Sequence, residues 1–158
     1  MNIRLEPFKD SDIPLFTEWI AKERIKEYYT PNEDWIEEVS KRENEYSWIN
    51  HYIIYSEDTP IGFCQYYPYW MSGEDWNGNI PVQNTYSIDY LIGNDNYLRK
   101  GCASKALKLL NSIIFTISDA RRIIVQPDEA NNASRNTLFS VGYSYDEENK
   151  VFILENLI

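Results

Sequence analysis

Between Tyr86 and Val125 the sequence changes its hydrophobic period twice, and this narrows the fold more than any other feature. Tyr86 to Ile92 is β-prone and Gly93 to Lys100 reads as a loop. From Gly101 to about Phe115, Ala103, Ala106, Leu107, Leu110, Ile113 and Ile114 fall on one helical face. Arg122 to Val125 then returns to strand character. Strand, helix and strand in that order form a crossover that lays the helix against a sheet. The segment before it is different. Tyr52 to Tyr55 and Ile61 to Tyr67 are strand-like and joined by the turn-forming Glu57, Asp58, Thr59 and Pro60, which predicts a hairpin.

The remaining segments complete the order. Ile3 and Leu5 open a strand, and a helix is expected from about Asp10 to Ile25, with Ile13, Phe16 and Ile20 on its buried face and Asp10 or Ser11 as cap. Glu27 to Thr30 is a loop, and a second helix starts near Pro31 or Asn32 and carries Trp35, Ile36 and Val39. Residues 68–84 hold Gly73, Gly78 and Pro81 and read as a long irregular loop, a kind of segment that is often functional. Asn131 to Val141 is a shorter helix ending at Gly142, and Tyr143 and Lys150 to Leu154 supply the last strands. The pattern predicts an α/β (α+β) sandwich built around one sheet, and a chain of 158 residues, 43% of them hydrophobic, is expected to form a single domain over 1–158.

The formal charge of −10 argues against nucleic acid as a partner and leaves room for a cationic one. No stretch has the ~18 apolar residues a membrane span requires, and the start of the chain lacks the apolar core of a signal peptide, so no membrane partner and a cytoplasmic location are expected. Cys64 and Cys102 form no metal-ligand spacing and His51 is the sole histidine, so no metal site is expected, and a cysteine or serine nucleophile would need His51 as its partner.

Arg99, Lys100, Lys105 and Lys108 gather at the start of the 101–115 helix, where the macrodipole disfavours cations. In an acidic chain this points to a bound anion, and the free N–H groups of the same helix start suit a pyrophosphate. The alternative is a solvated basic face. Cys102 lies at that helix start, where a thiol can become reactive, and is treated as open to modification.

At this loop the chain resembles the GNAT acetyltransferase superfamily, whose coenzyme A motif is Q/RxxGxG/A. Gly101 and Ala103 match its last two positions and Leu98 replaces the leading residue. Nearly the whole chain resembles the aminoglycoside 6'-N-acetyltransferases. The shared features are Glu27, Tyr28 and Tyr29 after the first helix; the strand with Pro60, Ile61, Gly62, Gln65 and Tyr67; and Ile88, Asp89 and Tyr90, with Gly101 twelve residues after the Asp. Pro127, Asn131, Arg135 and the Val141, Gly142, Tyr143 ending follow. The resemblance implies a GNAT-like mixed, mostly antiparallel central sheet flanked by about four helices. It also implies acetyl-CoA as the acetyl donor, with coenzyme A as product.

Acetyl transfer from a thioester needs a deprotonated amine, donors for the oxyanion and a proton for the leaving thiolate. Asp89 lies in an otherwise apolar strand, where a carboxylate is disfavoured unless paired or functional. The resemblance makes it the group that contacts or deprotonates the acceptor amine. The competing assignment is a solvent-facing Asp89 paired with a cation. By the same resemblance, main-chain groups of Tyr90, Leu91 and Ile92 hold the pantetheine arm, and the loop and helix start at Arg99, Lys100, Gly101, Cys102, Ala103 and Ser104 hold the phosphates. Asn131 either contacts the cofactor or caps its helix.

Related enzymes place a tyrosine as the thiolate's acid where this chain has Leu138, which leaves water, Tyr143 or Tyr145 for the role. Acceptor selection is assigned to Tyr28, Tyr29, Gln65 and the 68–84 loop, with Glu74 and Asp75 as its acids and Tyr69, Trp70 and Trp76 as its aromatics. The expected activity is N-acetylation of a small cationic amine, with an aminoglycoside as first candidate and a monomer or homodimer as the working unit. The alternatives are acetylation of a protein, peptide or siderophore precursor, and coenzyme A binding without catalysis.

Overall fold

The computed structural model describes residues 1–128 and 130–157. Seven strands form one sheet: β1 (Ile3–Pro7), β2 (Asn50–Ser56), β3 (Thr59–Pro68), β4 (Thr85–Ile92), β5 (Arg122–Val125), β6 (Ser144–Asp146) and β7 (Val151–Glu155). Their spatial order is β1-β2-β3-β4-β5-β7-β6, with every pairing antiparallel except β4 with β5. The mostly antiparallel mixed sheet is therefore the observed architecture.

Side-chain alternation sorts the strands between two layers. Ile53, Phe63 and Leu91 lie in register across β2, β3 and β4 and pack with Phe16, Trp19, Ile20 and Val39. These come from α1 (Ile13–Ile20) and α3 (Asn32–Ser40). The opposite face, with Ile54, Cys64 and Ile88, packs against Ala106, Leu107, Leu110 and Ile114 of α4 (Cys102–Phe115) and Leu138 of α5 (Asn132–Ser140). Burying each of these large aliphatic side chains contributes roughly 1.5–3 kcal/mol.

The single helix expected over 10–25 is divided. A 3-10 turn at Asp10–Asp12 leads into α1, Lys22 is extended, and a one-turn α2 (Glu23–Lys26) follows, so the described residues hold five α-helices where about four were expected. Neither Asp10 nor Ser11 caps α1. Asp12 occupies the cap position, and its carboxylate accepts from the Lys9 N–H at 2.9 Å instead of from the helix. Pro14 in the first turn of α1 removes one of the donors a cap would serve. The interruption at Lys22 has a long-range cause. Lys22 Nζ donates to the Gly93 carbonyl at 2.8 Å, and Arg24 reaches Asp95 at 2.6 Å, which fastens α2 to the loop leaving β4.

Beyond β3 the 68–84 segment is irregular, as expected, apart from a 3-10 turn at Tyr69–Met71, and it is packed against the sheet. Tyr69 is fully buried with Ile80, Ile124 and Val151, and Asn79 N–H donates to Asn149 Oδ1 at 2.7 Å.

Candidate active site

Strands β4 and β5 pair only at Thr85↔Arg122 and Tyr86↔Ile123, leaving the later residues of β4 without a partner strand on that side. There a cleft of about 1170 Å³ opens, lined by Ser87 to Ile92 of β4, the Val125 to Asp128 segment, the starts of α4 and α5, and the loop after α2.

One end of the cleft is built for an anion. Gly101 is the N-cap of α4 with φ 76° and makes no side-chain cap, so the first N–H groups of the helix are unclaimed by a capping side chain. A Cβ on Gly101 would meet nothing within 4 Å, so the space in front of it is open. Gly101, Cys102, Ala103 and Ser104 line the cleft there with Arg99, itself at φ 58°, and the first turn of α4 carries no acidic residue. These features fit a pyrophosphate. The basic cluster does not converge as a whole, however. Lys100 lies over the Tyr97 ring at 5.9 Å, and Lys105 and Lys108 are exposed on α4 outside the cleft, so of the four only Arg99 lines it. Cys102 is 2% exposed with its sulfur 3.5 Å from Met1 Sδ, and this burial removes the expected susceptibility to modification.

The cleft lining is also acidic and aromatic. Burial and the charges of Glu27 and Asp128 push the Tyr28 phenol up, and all three residues line the cleft. Glu74 lines the cleft and accepts from two donors, Tyr67 Oη at 2.8 Å and Trp76 Nε1 at 2.9 Å. Its neighbour Asp75 does not line the cleft, though both acids are exposed. Tyr69 and Trp70 do not line it either. Tyr69 is buried against Trp76, and Trp70 packs against Tyr86.

Asp89 lines the same cleft. Register places His51, Gln65 and Asp89 side by side across β2, β3 and β4, a polar row on the face that carries α1 and α3. Gln65 Nε2 donates to Asp89 Oδ2 at 2.9 Å, and His51 pairs with Glu38 of α3 at 3.0 Å. Asp89 is thus half-buried and lines the cleft, contrary to the solvent-facing assignment. Burial pushes its carboxyl up to about 7; the Gln65 hydrogen bond opposes the rise, and the charges of Glu38 and Glu74 add to it. Such a carboxylate can accept a proton near neutral pH. Gln65 is only 2% exposed and does not line the cleft, and its Oε1 is buried without a partner. Tyr29 lines the cleft but commits its hydroxyl to the Tyr90 carbonyl at 2.9 Å.

Tyr90, Leu91 and Ile92 form the β4 wall, and Asn131 lines the opposite side. Asn131 Oδ1 accepts from Ser134 N–H at 3.1 Å, so it caps α5. Neither of the tyrosines proposed for the thiolate reaches the cleft. Tyr143 Oη donates to Asn111 in the core at 3.0 Å, and Tyr145 packs against Phe152 and beneath Arg135. Leu138 is fully buried. Sequence reasoning missed Ser134 and the His51–Glu38 pair and gave Tyr67, named only within its strand, no part in the site; their contacts depend on register and on segments distant in sequence. Among the described residues no cluster of His, Cys, Asp and Glu could hold a metal ion, and no helix is long and apolar enough to cross a membrane.

The acetyltransferase (GNAT) domain family matches residues 9–151. The aminoglycoside N(6')-acetyltransferase type 1 of Klebsiella pneumoniae is 23% identical over 140 residues, covering 82% of this chain and 68% of that protein. The structure of AAC(6')-Ib in complex with ribostamycin and coenzyme A aligns with a TM-score of 0.83 at 18% identity, covering 99% of this chain and 94% of the other. The aminoglycoside N(6')-acetyltransferase of Legionella pneumophila aligns with a TM-score of 0.72 at 16% identity, covering 98% and 94%. At these identities the structural likeness is one of fold.

Proposed function

The chain belongs to the GNAT acetyltransferase family, with acetyl-coenzyme A as its acetyl donor, and from that premise we propose that it acetylates a primary amine of a small polycation of the aminoglycoside type, at the 6'-nitrogen. The observation that carries this reading is the make-up of the cleft lining. Arg99 and the unclaimed N–H groups of α4 share it with the acids Glu27, Glu74, Asp89 and Asp128 and with the aromatics Tyr28 and Trp76. One cleft thereby offers cationic and N–H groups to an anionic donor and carboxylates to a cationic acceptor.

Acetyl-coenzyme A supplies an activated acyl group when bound. The residues of this chain do the rest. The start of α4 and Arg99 hold the phosphates, and the β4 edge at Tyr90 to Ile92 orients the pantetheine arm. Glu74, fixed by Tyr67 and Trp76, pairs with an ammonium of the acceptor. Asp89, steadied by Gln65, takes the proton from the attacking amine. The Klebsiella relative acts on aminoglycosides by its name, which agrees with this assignment.

The test is growth. A susceptible bacterium that expresses the chain is expected to survive kanamycin or tobramycin, and one that expresses Asp89→Asn is not. Equal killing of both strains, with the protein present at equal levels, would reject the aminoglycoside reading.

A further inference from the structure

A departing thiolate needs a proton donor, and five phenols line the cleft among the described residues: Tyr28, Tyr29, Tyr67, Tyr90 and Tyr97. Four are committed or misplaced. Tyr29 donates to the Tyr90 carbonyl, Tyr67 donates to Glu74, Tyr28 is hydrogen-bonded to Glu27, and Tyr97 lies under Lys100 on the loop before α4.

Tyr90 differs. It follows Asp89 on β4, so its side chain leaves the opposite face of the sheet, in register with Cys64 and Tyr52 and packed with the α4 layer. Its hydroxyl extends to the first turn of α5, where it meets Ser134 Oγ at 2.6 Å and the Ser134 carbonyl at 3.3 Å. The short contact suits Ser134 Oγ donating to the phenol oxygen, and the longer one is a weak bond that the phenol proton can leave. A ligand threaded where β4 and β5 part has Asp89 on one side and Tyr90 on the other.

We propose that the Tyr90 hydroxyl, supported by Ser134, is the proton donor to the leaving thiolate, a role that rests on the acetyl transfer set out above. The amine nitrogen bonds to the carbonyl carbon and gives its proton to Asp89. The C–S bond breaks with its electron pair remaining on sulfur, and the Tyr90 proton passes to that sulfur. The phenolate, stabilised by the Ser134 hydroxyl, then recovers a proton from water in the cleft. Burial pushes the Tyr90 phenol up to about 12 and the Ser134 hydrogen bond opposes the rise, so the proton is in place at neutral pH.

The experiment is an ultraviolet titration of the thiol of bound coenzyme A in wild type, Tyr90→Phe and Ser134→Ala, with affinity measured alongside by calorimetry. A donor aimed at sulfur stabilises the thiolate, so the bound thiol is expected to titrate about one pH unit lower in wild type than in Tyr90→Phe, with Ser134→Ala between them and affinity unchanged within about threefold. With an amine that is turned over, kcat of Tyr90→Phe is expected to fall at least tenfold, since general acids contribute on the order of 10²–10⁴ and a thiolate needs less help than most leaving groups. An identical thiol titration in wild type and Tyr90→Phe overturns the assignment whatever the kinetics. The titration involves no acceptor, so it decides on Tyr90 even if no amine is found to react.

Discussion

Replacing Asp89 by Asn is expected to move stability and activity in opposite directions. Asp89 titrates near 7 in the folded protein against an ordinary value of 3.8. Because the folded value is raised, the favourable contribution of the protonated carboxyl is complete below the ordinary value and is lost as pH rises through about 7. The gap of about three pH units sets a ceiling of ~4 kcal/mol at about 1.4 kcal/mol per unit, and water in the cleft reduces this to about 2 kcal/mol. An amide at position 89 carries no charge to desolvate. It still accepts from Gln65 Nε2, and its own N–H₂ can serve the orphaned Gln65 Oε1. Asp89→Asn is therefore expected to unfold at higher denaturant than wild type above pH ~8, with the advantage gone below pH ~4. Turnover should fall roughly 10²–10⁴-fold with coenzyme A affinity unchanged, because the base is lost and the phosphate end is untouched. Urea melts across pH with parallel calorimetry decide the matter. A variant less stable than wild type at high pH would refute the burial argument.

The other predictions concern the rest of the cleft. Gly101→Asp places a side chain at φ 76° and a negative charge against the phosphates, so coenzyme A affinity measured by calorimetry should drop at least about 100-fold with little change in the circular dichroism spectrum. The acid limb of kcat/KM should have its midpoint near the Asp89 value of about 7. Gln65→Leu removes the hydrogen bond that lowers that value and should move the limb to higher pH by roughly half a unit to one unit in a pH–rate profile. Tyr67→Phe frees one oxygen of Glu74 and should raise KM for a polycationic acceptor a few-fold while leaving that for acetyl-coenzyme A unchanged.

How much of this was legible in the sequence depended on range. The order of strands and helices follows from local periodicity, and the 52–67 hairpin and the 86–125 crossover both appear where that periodicity places them. The division of the first helix at Lys22 was hidden because its partners, Gly93 and Asp95, lie some seventy positions away. Asp89 stood out as a charge in an apolar strand. Its alignment with Gln65 and His51 needed the strand register, which composition does not reveal. The basic cluster looked convergent in one dimension, yet helical geometry turns Lys105 and Lys108 to solvent. The aromatics of the 68–84 segment could be read as binding surface or as core, and only packing separates Tyr69, which is buried, from Trp76, which lines the cleft.

The most direct measurement is thiol release from acetyl-coenzyme A with kanamycin, tobramycin, spermidine and a lysine peptide as acceptors, in wild type and Asp89→Asn. Turnover with the aminoglycosides that exceeds turnover with the other two and is lost in Asp89→Asn is the predicted result. Turnover only with the peptide, or none with any of the four while coenzyme A still binds, would contradict the assignment of the acidic lining to a small polycation.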